Sequence, residues 1–230
     1  MKIAIIGAME QEVEILREKI ESPTSKEIAG CEFIEGIIGE HDIVLVKSGI
    51  GKVNAAIATT LLIEQYEPNV VLNTGSAGGF NDSLEVGTVV ISDEVRHHDV
   101  DATAFGYELG QVPGMPPSYL ADQKLVDIAK EAVEDIGEHA HATGLIASGD
   151  VFMSNPERVK LVQGQFPSMI AAEMEAAAVA QVCHQFGTPF VVIRALSDIA
   201  GKESSISFDE FLPLAAKHSS EIVLQAISKL

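Results

Sequence analysis

The sequence predicts an α/β fold, a single domain of strands covered by helices on both faces. Three observations lead there. Short β-branched runs alternate with helical patterns along the whole chain. The available core is aliphatic: 47% of residues are hydrophobic, only 5% aromatic, and Trp is absent. That composition suits parallel strands buried beneath helices better than an aromatic-rich β-sandwich. Finally, 230 residues can bury one large core, and no repeat, linker or low-complexity tract divides them, so 1–230 reads as one three-layer domain.

In chain order, "KIAII" is a strand that turns at Gly7 into a helix begun by "GAMEQE". "CEFIEGII" and "DIVLVK" are strands, and "KVNAAIATTLLIEQY" carries a helical pattern. "NVVLNT" and "TVVISDEV" return to strand. The stretch "DATAFGYELGQVPGMPPSYL" is irregular and rich in Gly, Pro and aromatics. A loop of that length in a compact domain is usually functional or part of an interface. Next come a helix, "ADQKLVDIAKEAVEDIG", and two strands, "TGLIAS" and "MIAAEM". The helix "EAAAVAQVCHQFG" stops at Gly187, and Pro189 opens the strand "PFVVIRALS". From about Phe208 to Leu230 the pattern is that of an amphipathic closing helix.

Fifteen Lys and Arg against 34 Asp and Glu give a formal charge of −19. Nucleic acid and acidic membrane surfaces are repelled by such a chain, so the expected ligand is small and neutral or cationic. Cys31 and Cys183 lie far apart with no metal-like spacing, which suits free thiols in a reducing compartment. The first apolar run is short and meets acids at once, as a buried strand does and a signal peptide does not. No apolar run has the length of a membrane span, and a cytoplasmic location is expected.

Ligands of α/β sheets sit at the carboxyl ends of strands. "GAMEQE", "KSGIGK", "TGSAGG", "SGDVFM", "EMEAAA" and "LSDIAG" occupy such ends, and small residues such as Gly78 let a ligand approach the backbone. No phosphate-binding glycine fingerprint is among them. Instead the ends carry acids: Glu12, Glu173, Glu175 and Asp198. Each has a structural alternative. Glu10, Glu12 and Glu14 suit a first helical turn, Glu173 and Glu175 suit a cap, and Asp198 suits a turn. Glu173 and Glu175 are expected to point in different directions, whereas Arg194 and Asp198 share a strand face by even spacing. "HHDVD", His97 to Asp101, has metal-like alternation without further ligands nearby, and "HAH" at 139–141 reads as a solvated turn. Met9, Met153 and Met174 flank these ends and suggest an apolar pocket beside the acids.

"GAMEQEV", "SGIGKVNAA", "NTGSAGG", "HDVDATAFGYELGQVPG", "SGDVF", "EMEAAAVA", "PFVVIRALSD" and "SFDEF" together resemble the 5′-methylthioadenosine/S-adenosylhomocysteine nucleosidases of the nucleoside phosphorylase superfamily. The resemblance spans essentially the whole chain. It implies a three-layer α/β/α domain with a central twisted mixed sheet, and metal- and cofactor-free hydrolysis of the adenine–ribose bond in 5′-thioadenosines. By position, Glu12 would deprotonate water, and Glu175, with Met174 beside it, would hold the ribose hydroxyls. Asp198, oriented by Ser197, would protonate adenine N7, while Ser76 and Arg194 would help place the water. Phe152 would stack on the purine and the backbone of Met153 would read its edge. Met9, Ile50 and Phe208 would line the alkylthio pocket, completed by Phe105 and Pro113 of a second subunit in a homodimer. Three positions depart from the family's usual residues: Met153, His97 and Ala172, the last two read as peripheral. A phosphorylase and a non-catalytic nucleoside sensor are the rival readings. Phosphate-dependent turnover would mark the first, binding without cleavage the second.

Overall fold

The computed structural model of the chain describes residues 1–81, 83–201 and 204–230. The side chain of Ser207, which opens "SFDEF", lies outside the described residues. The sheet is built from β1 (Lys2–Gly7), β2 (Glu21–Ile28), β3 (Cys31–Ile38), β4 (His41–Lys47) and β5 (Val70–Gly79). To these are added β6 (Val89–His97), β7 (Tyr119–Leu120), β8 (His141–Ser148), β9 (Met169–Glu173) and β10 (Phe190–Ile199). The helices are α1 (Glu10–Arg17), α2 (Lys52–Tyr66), α3 (Gln123–Ile136), α4 (Pro156–Gln165), α5 (Ala176–Phe186) and α6 (Ser204–Ile227).

Alternation along the central strands creates the layers. In β1, Ile3 and Ile5 join one apolar cluster while Ala4 and Ile6 join another, all four without solvent exposure. The first cluster takes in Val13 and Leu16 of α1, Leu125 to Val133 of α3, and Ile222 to Ile227 of α6. The second takes in Ala55, Ala58 and Leu62 of α2 and the alanine-rich face of α5. A strand buried on both faces is a continuous apolar run, and each fully buried Ile contributes about 1.5–3 kcal/mol. The three-layer α/β/α expectation with a mixed central sheet holds: β1 pairs in parallel with β4 and β5, while β3 and β4 run antiparallel.

The sheet also closes on part of itself. β5 pairs with β10, β10 with β6, β6 with β8, β8 with β9, and β9 returns to β5. Irregularities in β10, β6 and β9 accompany the closure, as bulges do where a sheet must bend. This ring gathers the ends of β5, β9 and β10 around one space.

Several elements end as their residues dictate. Asp122 caps α3 by accepting from the amides of Lys124 and Leu125, and α5 ends at Gly187 with φ +71°. The closing helix starts earlier than Phe208, at Ser204, and tolerates Pro213 within it. The strand β2 is nearly all exposed and contains Pro23, placed where an edge strand's pairing with β3 is irregular between Glu21 and Thr24. His139 is not solvated as expected: its ring packs 4.1 Å from that of His218, beside Glu221. Among the described residues, no helix is long and apolar enough to cross a membrane.

Candidate active site

The strand ends open onto a cavity of about 290 Å³, near the lower limit of small-ligand pockets. It is lined by Met9 and Glu12 after β1, Ile50 before α2, and Ser76 and Gly78 on β5. Phe152, Met174, Glu175, Ser197, Asp198 and Phe208, also expected from sequence, line it too. Ala8, Ala77, Ala172 and Glu173 line it as well. Ala172 is therefore not peripheral. It pairs with Gly78 where β9 meets β5, a contact between distant segments that no local pattern announces.

Glu12 explains the acidic turn. It is the third residue of α1 and only 1% exposed. Its Oε2 accepts from the amides of Ala8 (2.9 Å) and Met9 (3.1 Å). Its Oε1 accepts from the Ser76 amide (2.9 Å) and the Ser76 hydroxyl (3.0 Å). The helix-end amides that elsewhere greet a phosphate here hold the chain's own carboxylate. Gly75, at φ +143°, permits this: a Cβ there would collide with Glu12 and Arg194. Glu10, by contrast, faces outward and pairs with Arg17 and Lys47, so the structural reading holds for that acid.

Arg194 on β10 is 1% exposed and collects the carboxylates. Nη2 lies 2.6 Å from Glu173 and 3.5 Å from Glu175, and Nη1 lies 3.9 Å from Glu12. Nη2 also donates to Asn73 at 3.0 Å. The even-spacing relation between Arg194 and Asp198 does not carry over, because β10 is bulged between Leu196 and Asp198. Nor do Glu173 and Glu175 diverge as expected; both converge on Arg194. Glu173 is the structural one, accepting from the amides of Glu175 and Ala176 and from the Ser148 hydroxyl. Glu175 makes no such cap and accepts instead from the Gly51 amide at 2.8 Å. Burial, then the neighbouring charge of Glu173, pushes the Glu175 carboxyl up to about 8 despite Arg194.

Asp198 is 3% exposed, with the Ser197 hydroxyl 2.9 Å from its Oδ1 and Gly78 packed against it. The rings of Phe152 and Phe208 meet edge to face at 5.6 Å. Four sequence candidates stand outside the cavity lining. Arg194 lies behind the acids. Met153 is buried in a core cluster, its carbonyl accepting from Gly201. Phe105, 84% exposed, and Pro113 belong to the long loop and do not line this chain's cavity. The "HHDVD" run binds protein groups: His97 Nε2 is 3.0 Å from Gln181 and Asp99 pairs with Lys52. Burial holds both the His97 and His98 imidazoles below their ordinary pKa.

Such a cavity presents carboxyl groups and apolar surface, with one guanidinium, neutralised by the acids, buried behind them. Among the described residues, its lining contains no cation. It suits a neutral ligand with hydroxyls and a flat apolar part, and a reaction needing proton transfers at two places.

Comparison with known proteins agrees with this chemistry. The phosphorylase superfamily profile matches residues 2–228. A 5′-methylthioadenosine/S-adenosylhomocysteine nucleosidase of Lysinibacillus sphaericus is 64% identical over 230 residues, covering 100% of both chains. That of Bacillus subtilis is 60% identical over the same span. The crystal structure of such a nucleosidase from Colwellia psychrerythraea, in complex with adenine, superposes with a TM-score of 0.98 at 52% identity, covering 100% of this chain and 96% of that one. A Neisseria meningitidis counterpart in complex with methylthio-immucillin-A also reaches 0.98, at 48% identity and with 100% and 99% covered. The chain belongs to the phosphorylase superfamily and, within it, to the 5′-methylthioadenosine/S-adenosylhomocysteine nucleosidases.

Proposed function

We propose that the cavity hydrolyses the N-glycosidic bond of 5′-methylthioadenosine and S-adenosylhomocysteine, releasing adenine and the 5′-thioribose product. The reaction serves methionine salvage and the recycling of S-adenosylmethionine by-products. 5′-Deoxyadenosine is also a substrate, because Met9, Ile50 and Phe208 offer the 5′ end apolar contact and demand no polar group there. The whole of 1–230 acts as one catalytic unit.

The carrying observation is the Glu12 carboxylate, fixed by four donors where a phosphorylase would need room for phosphate. A phosphate about 4 Å away would meet repulsion of roughly 1–4 kcal/mol per unit-charge pair. Arg194 cannot offset this, since Glu173, Glu175 and Glu12 already surround it. Water meets no such penalty.

Cleavage builds positive charge on the sugar and negative charge on the purine. Two carboxyl groups with separate duties solve the analogous O-glycoside problem. Glu12 takes a proton from water, and Ser76, whose hydroxyl alone among the four donors can rotate, helps seat that water, while Arg194 behind the acids positions its carboxylate neighbours. Asp198, steadied by Ser197, gives a proton to adenine N7. Phe152 stacks on the purine, whose edge meets the backbone near Met153, with Gly78 allowing close approach. Glu175, beside Met174, holds the ribose diol. A protonated Glu175 still serves: one oxygen accepts from a hydroxyl while the other donates. Replacing Glu175 by Ala should cost ribosides about 10–100-fold more in kcat/KM than 2′-deoxyribosides, the worth of one strong hydrogen bond. Equal losses for both substrate types would remove the diol role.

The protein works as a homodimer. Val53 (68% exposed) and Ile57 (39%) lie one turn apart on α2, with Ile50 (50%) just before the helix, and Phe105 (84%) is exposed on the long loop. Isolated apolar residues are common on surfaces, but a contiguous set beside a cavity marks an interface. Phe105 and Pro113 of the second subunit close the alkylthio pocket. Light scattering should give twice the chain mass at micromolar concentration; a fully active monomer would refute this. Cys31 and Cys183, both free and buried, suit the cytoplasm.

A further inference from the structure

The "HHDVD" run has no part in the chemistry above, yet its Asp99 bonds to both segments that carry the cavity-lining Ile50 and Phe152. Lys52 opens α2 after Gly51, which has no side chain to cap the helix. The exposed helix-end amides are served by distant carboxylates: Gly51 N–H donates to Glu175 Oε1 and Lys52 N–H to Asp150 Oδ1, each at 2.8 Å. Asp99 ties the arrangement together. Its Oδ1 lies 2.6 Å from Lys52 Nζ, and its Oδ2 accepts from the Asp150 amide at 3.0 Å. Lys52, Asp99 and Asp150 thus form a closed ring of three contacts. One residue to one side lies Gly51, bonded to the ribose-binding acid; two residues to the other lies Phe152. Beneath the loop, His98 occupies the space a Cβ at Gly149 would need, and its amide donates to Ser148 O at 2.9 Å.

We infer that Lys52 and Asp99 are positioning residues that lock the purine-stacking loop (149–152) to the start of α2, and so set the spacing between the purine and ribose contacts. Neither touches Glu12 or Asp198, so their effect falls on binding rather than on the chemical step. The inference rests on Phe152 and Glu175 being the purine and ribose contacts.

The test measures kcat and KM for methylthioadenosine and the affinity for adenine, in Lys52→Met, Asp99→Asn, Lys52→Arg and the Lys52→Met/Asp99→Asn double variant. Loss of one charge-assisted bond should raise KM and the adenine Kd by about fivefold to tenfold, with kcat within about threefold of wild type. Lys52→Arg should stay near wild type. The double variant should be no worse than the worse single one, as expected for partners in one contact. Unchanged KM and adenine Kd in both single variants would overturn the inference. So would a Lys52→Arg enzyme as impaired as Lys52→Met, or additive losses in the double variant. If Lys52→Met fails to fold, Asp99→Asn alone decides, by the same rise or constancy of KM and adenine Kd. Phe152→Ala run alongside separates the two layers. Adenine affinity lost there but kept in the Lys52 and Asp99 variants sinks the lock alone; affinity kept in Phe152→Ala sinks the reading of the site.

Discussion

Replacing Asp198 by Asn is expected to lower kcat by about 10²–10⁴-fold, the usual contribution of a general acid. The substitution keeps the shape, and its carbonyl oxygen still accepts from Ser197 as Asp198 Oδ1 does in the wild type at 2.9 Å. It also keeps a donor for purine N7, but one that cannot release a proton. Affinity for a non-hydrolysable substrate analogue should therefore change little while turnover collapses. The loss should shrink for substrates whose base departs readily as an anion, since these need no acid. Near-normal turnover of methylthioadenosine would remove Asp198 from that role.

Glu12→Gln should produce a loss of the same order, about 10²–10⁴-fold in kcat, together with a cost to stability. Every hydrogen bond at the Glu12 carboxylate is accepted: two at Oε2 from Ala8 and Met9, two at Oε1 from Ser76. A carboxamide can accept at one end only, so its NH2 must face either the Ala8 and Met9 amides or the Ser76 donors. A buried donor left without an acceptor costs about 1–3 kcal/mol. Thermal unfolding temperature and kcat should both fall. An active, equally stable Gln variant would reassign the base.

How much of this is legible in the sequence depends on how local each cause is. The strands β1 and β10 and the end of α5 rest on apolar runs and on Gly187 followed by Pro189, all readable within a dozen residues. The strand β2 is not readable: "ESPTSKEI" has no buried face, and it exists because β3 offers it an edge to pair with. The closure of β5, β10, β6, β8 and β9 into a ring depends on registers and bulges that no single segment encodes. The same division runs through the site. The strand-end acids stand out because carboxylates are costly in buried places and need a reason to be there. That Glu173 and Glu175 meet at Arg194 is hidden, since local spacing suggests divergence and the meeting point is set by separate strands and a helix start. Ala172 enters the cavity lining for a similar reason. It sits opposite Gly78 only because β9 runs antiparallel to the end of β5.

The most direct test of the claim that carboxylates make water the nucleophile is product analysis in ¹⁸O-labelled water, with and without inorganic phosphate. The expected result is adenine plus a thioribose labelled at C1, at a rate that added phosphate does not raise, with label incorporation slowed in step with kcat in Glu12→Gln. A sugar 1-phosphate, or turnover that requires phosphate, would contradict it.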